Sequence, residues 1–91
     1  MNKGELVDAI AEKAEVTKKD ADAILTATID AIMEAVAAGE KVTLVGFGSF
    51  EPRKRAAREG RNPQTGKTIN IPETIVPAFA PGKGFKERVA E

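Results

Sequence analysis

The stretch Arg53-Lys54-Arg55-Ala56-Ala57-Arg58-Glu59-Gly60-Arg61-Asn62-Pro63-Gln64-Thr65-Gly66-Lys67-Thr68-Ile69 decides how this 91-residue chain reads. Before Ile69 it holds no large apolar residue, so strands built from it have no core face and are not held together by burial. Its centre, Asn62-Pro63-Gln64-Thr65-Gly66, is a turn signal. Asn suits the first position, Pro pre-sets φ at the second, and Gly66 releases the chain. Six cations (Arg53, Lys54, Arg55, Arg58, Arg61 and Lys67) stand against one acid, Glu59, between residues 52 and 68. Structureless loops of this length are uncommon unless they function. The stretch therefore reads as a β-ribbon arm, residues 53–75, that projects from a folded body, is mobile when free and orders on a partner. From Arg53 to Pro63 such an arm reaches about 33 Å. Its charge makes the partner an anion, most simply a phosphate backbone.

Outward from the arm, the N-terminal side is helical. Asn2 is a good N-cap, and Glu5 completes a capping-box-like pair for a helix from about Lys3 to Ala14. Leu6, Val7, Ile10, Ala11 and Ala14 recur at helical spacing. Thr17 caps a second helix over 18–38, with Asp20 in the reach-back position. Ala21, Ile24, Leu25, Thr28, Ile29, Ile32, Met33, Val36 and Ala37 form its stripe, and Gly39 ends it. The period then drops to two. Lys41-Val42-Thr43-Leu44-Val45 reads as a strand, Gly46-Phe47-Gly48 as a tight connection, and Ser49-Phe50-Glu51 as the start of a second strand. A third strand is expected from Lys67 to Ala80. Pro72 and Pro77 place it at an edge or a bulge. Pro81-Gly82 breaks the chain before a short helix from Lys83 to Ala90. The fold class is α+β: a two-helix N-terminal hairpin, a three-stranded antiparallel sheet with an extended arm, and a C-terminal helix.

Composition excludes several function classes. The chain has no Cys and no His. That removes disulfides, thiolate nucleophiles, Cys-type zinc sites and the usual general base. Ser49 has no histidine to activate it. A metal site is restricted to oxygen ligands, and no spaced carboxylate loop of the EF-hand kind is present. We expect no enzyme activity, no cofactor, no metal and no small-molecule substrate. No apolar run is long enough to cross a membrane or to serve as a signal peptide, so a cytoplasmic protein is expected.

Charge is divided along the chain, although it sums to zero. Residues 1–46 carry five Lys and nine acids; residues 47–91 carry nine Lys and Arg against five acids. Without the arm the body is roughly 70 residues, a size at which one chain's core is marginal. Ile29, Ile32, Met33, Leu44, Phe47, Phe50 and Phe79 offer more apolar surface than two helices and a small sheet can cover. A dimer through these residues is expected.

Met1-Asn2-Lys3, Val45-Gly46-Phe47-Gly48-Ser49-Phe50, Gly60-Arg61-Asn62-Pro63-Gln64-Thr65-Gly66-Lys67 and Val76-Pro77-Ala78-Phe79, in this order and over the whole chain, resemble the HU / integration host factor family of bacterial histone-like DNA-bending proteins. The balance is closer to HU. The resemblance implies an intertwined homodimer whose two arms embrace double-stranded DNA through the minor groove. Binding of that kind is largely independent of sequence, favours bent or kinked duplexes, and belongs to a nucleoid-associated protein. Pro63 is then the intercalating wedge, as apolar wedges are in minor-groove benders. It is rigid and carries no N–H to leave unpaired. Arg53, Arg55, Arg58, Arg61 and Lys67 match the arm cations that line the groove and touch phosphates. Asn62 and Gln64 flank the wedge and reach base edges or sugars. Lys3, Lys83 and Lys86 match body contacts to phosphate, with Lys83 opening a helix whose free N–H groups favour an anion. The whole is one DNA-binding domain, 1–91: a helical dimerisation part over 1–39, sheet over 40–52 and 76–81, arm over 53–75, and C-terminal helix over 82–91. Family members are usually basic overall, and this chain is neutral. Its acidic helices would repel a duplex wrapped over them, so weaker binding and a short footprint are expected.

Two rival readings have weaker support. Gly60 to Thr68 approaches a P-loop, but with five intervening residues, and Ile69-Asn70-Ile71-Pro72 does not start the helix a P-loop needs. The second is an assembly module whose basic arms grip an acidic protein.

Overall fold

The computed structural model describes residues 1–91. Three helices and five strands follow in the order α1 (Lys3–Ala14), α2 (Lys18–Ala37), β1 (Val42–Leu44), β2 (Gly48–Arg55), β3 (Arg58–Arg61), β4 (Thr68–Ile71), β5 (Thr74–Pro81) and α3 (Lys83–Ala90). The chain divides into two compact units, Met1–Glu34 and Ala35–Glu91.

In the helical unit the capping chemistry appears as the sequence leads one to expect. The Glu5 N–H donates to Asn2 Oδ1 at 2.9 Å, and the Asp20 N–H to Thr17 Oγ1 at 3.1 Å. Each satisfies one of the orphan donors of a first turn. Helix α1 closes on Glu15, which adopts a left-handed conformation with φ 56°. Val7, Ala11 and Ala21 form the buried core, with Ile10, Val16 and Leu25 packed around it. Two of those three core residues are alanine, so little apolar area is removed from water.

In the second unit, α2 ends where Gly39 lies at φ 91° and the Glu40 N–H donates to the Ala35 carbonyl at 2.9 Å. Strands β1, β2 and β5 form an antiparallel sheet with β2 in the middle. Pro77 lies on the edge strand β5, opposite Pro52. Neither proline has an N–H, so this pair occupies a non-hydrogen-bonded site of the ladder. Pro52 is tolerated in a central strand because β1 pairs only as far as Phe50, leaving β2 open on that side. Two positions away, Phe50 and Phe79 are the same kind of pair, where side chains approach most closely; their ring centroids are 4.9 Å apart. Phe47 and Phe85 complete the cluster, stacked at 5.4 Å and 10°. Together these are all four phenylalanines of the chain.

The expected third strand is two strands. β4 and β5 are separated by Pro72 and Glu73, opposite the break at Ala56 and Ala57 between β2 and β3. Proline supplies no ladder donor there. The outer ribbon β3–β4 is therefore a sheet of its own. Val45, expected in the first strand, sits in the Leu44–Phe47 turn and is 99% exposed.

Gly48 has no room for a side chain: a Cβ would lie 2.6 Å from the Ala80 carbonyl oxygen and 2.7 Å from the Phe79 ring. Gly48→Ala is therefore expected to destabilise the fold by about 1–3 kcal/mol, the usual cost of overpacking. A urea midpoint unchanged from the parent's, at equal protein concentration, would show that this packing is looser than described.

Candidate nucleic-acid interface

The arm tip is built by its own backbone. The Asn62 N–H donates to the Lys67 carbonyl at 2.8 Å, and the Gly66 N–H returns to the Asn62 carbonyl at 2.7 Å. The Asn62 side chain accepts from the Gln64 N–H at 2.9 Å, an Asx turn that holds the segment around Pro63. Gly66 at φ 70° takes the left-handed conformation the turn requires. Pro63, Gln64 and Lys67 are exposed and Asn62 is half-buried. The tip thus presents an apolar ring to solvent on a frame of four hydrogen bonds, the fourth from the Lys67 N–H to Thr65 Oγ1 at 3.3 Å.

Below the tip, strand alternation sorts the side chains. Arg58, Gly60, Ile69 and Ile71 share one face of the outer ribbon; Glu59, Arg61, Thr68 and Asn70 share the other. At the ribbon root, Arg53 and Arg55 lie on the face of β2 that carries Glu51, and Lys54 lies on the opposite face. Arg53 Nη2 pairs with Glu51 Oε1 at 3.3 Å, and Lys54 Nζ with Glu73 Oε1 at 3.2 Å. Arg55, Arg58, Arg61 and Lys67 are exposed and stand without an ion-pair partner.

The other cations singled out in the sequence are placed separately. Lys83 and Lys86 lie on α3, both exposed, and the Gly82 N–H that precedes α3 donates to the Phe47 carbonyl at 2.8 Å. Lys83 comes within 3.9 Å of Glu87 one turn on. Lys3 belongs to the helical unit. Its Nζ donates to Thr26 Oγ1 at 3.0 Å and lies 3.7 Å from Asp22. The segment after Lys67 is strand β4, so the P-loop reading fails for want of a helix. No group of His, Cys, Asp or Glu is arranged to hold a metal ion. No helix is long and apolar enough to cross a membrane.

A family model described as bacterial DNA-binding protein matches residues 1–90. The chain belongs to this family. The DNA-binding protein HU of Nostoc sp. (strain PCC 7120 / SAG 25.82 / UTEX 2576) is 69% identical over 90 residues, which cover 99% of this chain and 96% of the relative. That of Synechocystis sp. (strain ATCC 27184 / PCC 6803 / Kazusa) is 62% identical over 96 residues, with the same coverages. Among solved structures, the Anabaena HU-DNA cocrystal structure matches with a TM-score of 0.95 at 69% identity, covering 99% of this chain and 98% of that one. HU from Thermotoga maritima matches with a TM-score of 0.70 at 43% identity, covering 98% of each.

One further cation, Lys54, stands in the basic ribbon between Arg53 and Arg55 and is paired with Glu73. The Asx turn gives a test of tip rigidity in the free protein. Asn62→Ala is expected to speed amide exchange at Gln64 by about 2- to 10-fold, the worth of one net hydrogen bond. Asn62→Asp, which keeps the acceptor, is expected to preserve protection. Equal exchange in all three proteins would mean the side chain does not frame the tip.

Proposed function

We propose that this protein is an architectural, non-enzymatic double-stranded DNA-binding protein that bends DNA through the minor groove and acts as a nucleoid-associated homodimer. The observation that carries this reading is the exposed, hydrogen-bonded Pro63 tip on a ribbon with four unpaired cations. Family membership over residues 1–90 and the match to an HU-DNA cocrystal support it. Nothing in the relatives favours arms that grip an acidic protein.

Roles divide by chemistry. Arg55, Arg58, Arg61 and Lys67 neutralise phosphates or line the groove, with Arg53 at the root. Such contacts position the duplex and carry little sequence information. Pro63 enters a base step, and Asn62 and Gln64 lie against base edges or sugars. The minor groove offers a degenerate pattern, so binding is largely indifferent to sequence and sensitive to how easily the duplex kinks. Lys83 and Lys86 extend the phosphate contacts, and Lys3 adds one from the helical unit. One domain, 1–91, works as a whole, with residues 53–75 as the arm.

A second copy supplies what each unit lacks. Twelve large hydrophobic residues are exposed. In the helical unit these include Ile29 and Met33, at 40% and 56%, with Ile32 half-buried beside them. In the other unit Leu44, Phe47 and Phe79 are exposed and Phe50 half-buried. An apolar groove of about 390 Å³ runs along Phe79, Pro81, Phe85 and Val89. Apolar area of this extent on so small a chain is what a dimer core looks like before it closes.

Titrating random-sequence straight, nicked and gapped duplexes at several salt concentrations tests the function. Log K is expected to fall with log salt by about 0.9 per neutralised phosphate, with pre-kinked duplexes bound most tightly. No binding at low salt would overturn the reading. Pro63→Ala removes the wedge and no charge. It is expected to reduce the bend, read by end-to-end fluorescence transfer, while affinity falls by less than about tenfold, or 1.4 kcal/mol. An unchanged bend would remove Pro63 from its role.

A further inference from the structure

The six arm cations are not equivalent. Arg53 and Lys54, at the ribbon root, are each held by a carboxylate of the same protomer, one on either face of β2: Glu51 at 3.3 Å and Glu73 at 3.2 Å. From Arg55 outward the remaining four are unpaired, and the one acid among them, Glu59, pairs with no cation.

We propose that Glu51 and Glu73 are affinity-setting residues that withhold Arg53 and Lys54 from DNA phosphate, confining the grip to the outer arm. The inference rests on the DNA-binding reading above. Both cations are solvent-exposed, with side chains 60% and 67% accessible, while Glu51 is half-buried and Glu73 exposed. Exposed pairs are weak, worth a factor of only about 1.5 to 5, so a phosphate can break them. Breaking the pair does not remove the carboxylate. It stays inside one Debye length, about 8 Å at physiological ionic strength, of any phosphate its former partner takes up. Each root cation therefore brings a like charge to the phosphate it would neutralise, and its net gain is small.

Glu51→Gln and Glu73→Gln keep side-chain shape and hydrogen-bonding capacity and remove only the charge. Each is expected to tighten binding of a random 20–30 bp duplex about 2- to 5-fold per engaged arm. Each is also expected to steepen the slope of log K against log salt by about 0.9, one additional phosphate. The double variant is expected to show both increments. Glu59→Gln removes the same unit of charge from the same arm but frees no paired cation. It is expected to leave the slope near the parent's. A change of protein stability alone would move affinity without adding to the slope. If the parent binds duplex DNA and the slopes of Glu51→Gln and Glu73→Gln match the parent's or that of Glu59→Gln, the carboxylates do not withhold the root cations. If the parent fails to bind at low salt, the DNA-binding reading fails, and this inference with it.

Discussion

Eight residue pairs join Gly48–Arg55 to Thr74–Pro81, and everything else in the second unit depends on their register. The Pro52–Pro77 pair restricts that register, because two residues without N–H groups can face each other only at a non-hydrogen-bonded site. A slip by one residue would turn every side chain to the opposite face. In the observed register Phe50 meets Phe79, the close approach at Gly48 is filled by the Phe79 ring, and Lys54 comes within reach of Glu73. The same ladder aims the chain outward into the arm, which has no core of its own to set its direction.

Folding and binding draw on different parts of this small chain. Val7, Ala11 and Ala21 are its only buried hydrophobic side chains. The apolar residues that would ordinarily finish a core are at the surface. The polar and cationic residues that would ordinarily lie against a body are carried instead on a ribbon held by backbone hydrogen bonds. The ribbon is ordered by its own ladder and tip hydrogen bonds, and its side chains are left free to meet a partner. The acidic residues of the helical unit lie outside that segment, so neutrality of the whole chain and basicity of the arm are compatible.

Sequence by itself determined the features governed by neighbours within a few residues. Asn2 and Thr17 bond to N–H groups three residues on, so both helix starts could be read directly. The tip from Asn62 to Gly66 could be read for the same reason, because its turn is closed by its own residues. The family resemblance rested on equally local strings, and it extended the reading to the sheet and the arm. Only the tertiary structure decided what depends on register. The split of the long third strand at Pro72 and Glu73 needed the facing break at Ala56 and Ala57. The Lys54–Glu73 pair joins residues from opposite sides of the ribbon, and the anchoring of Lys3 by Thr26 and Asp22 joins two helices. Charge counted along a chain treats all cations alike. Which of them are already paired is a matter of distances between residues far apart in sequence, and those distances exist only once the strands and helices have met.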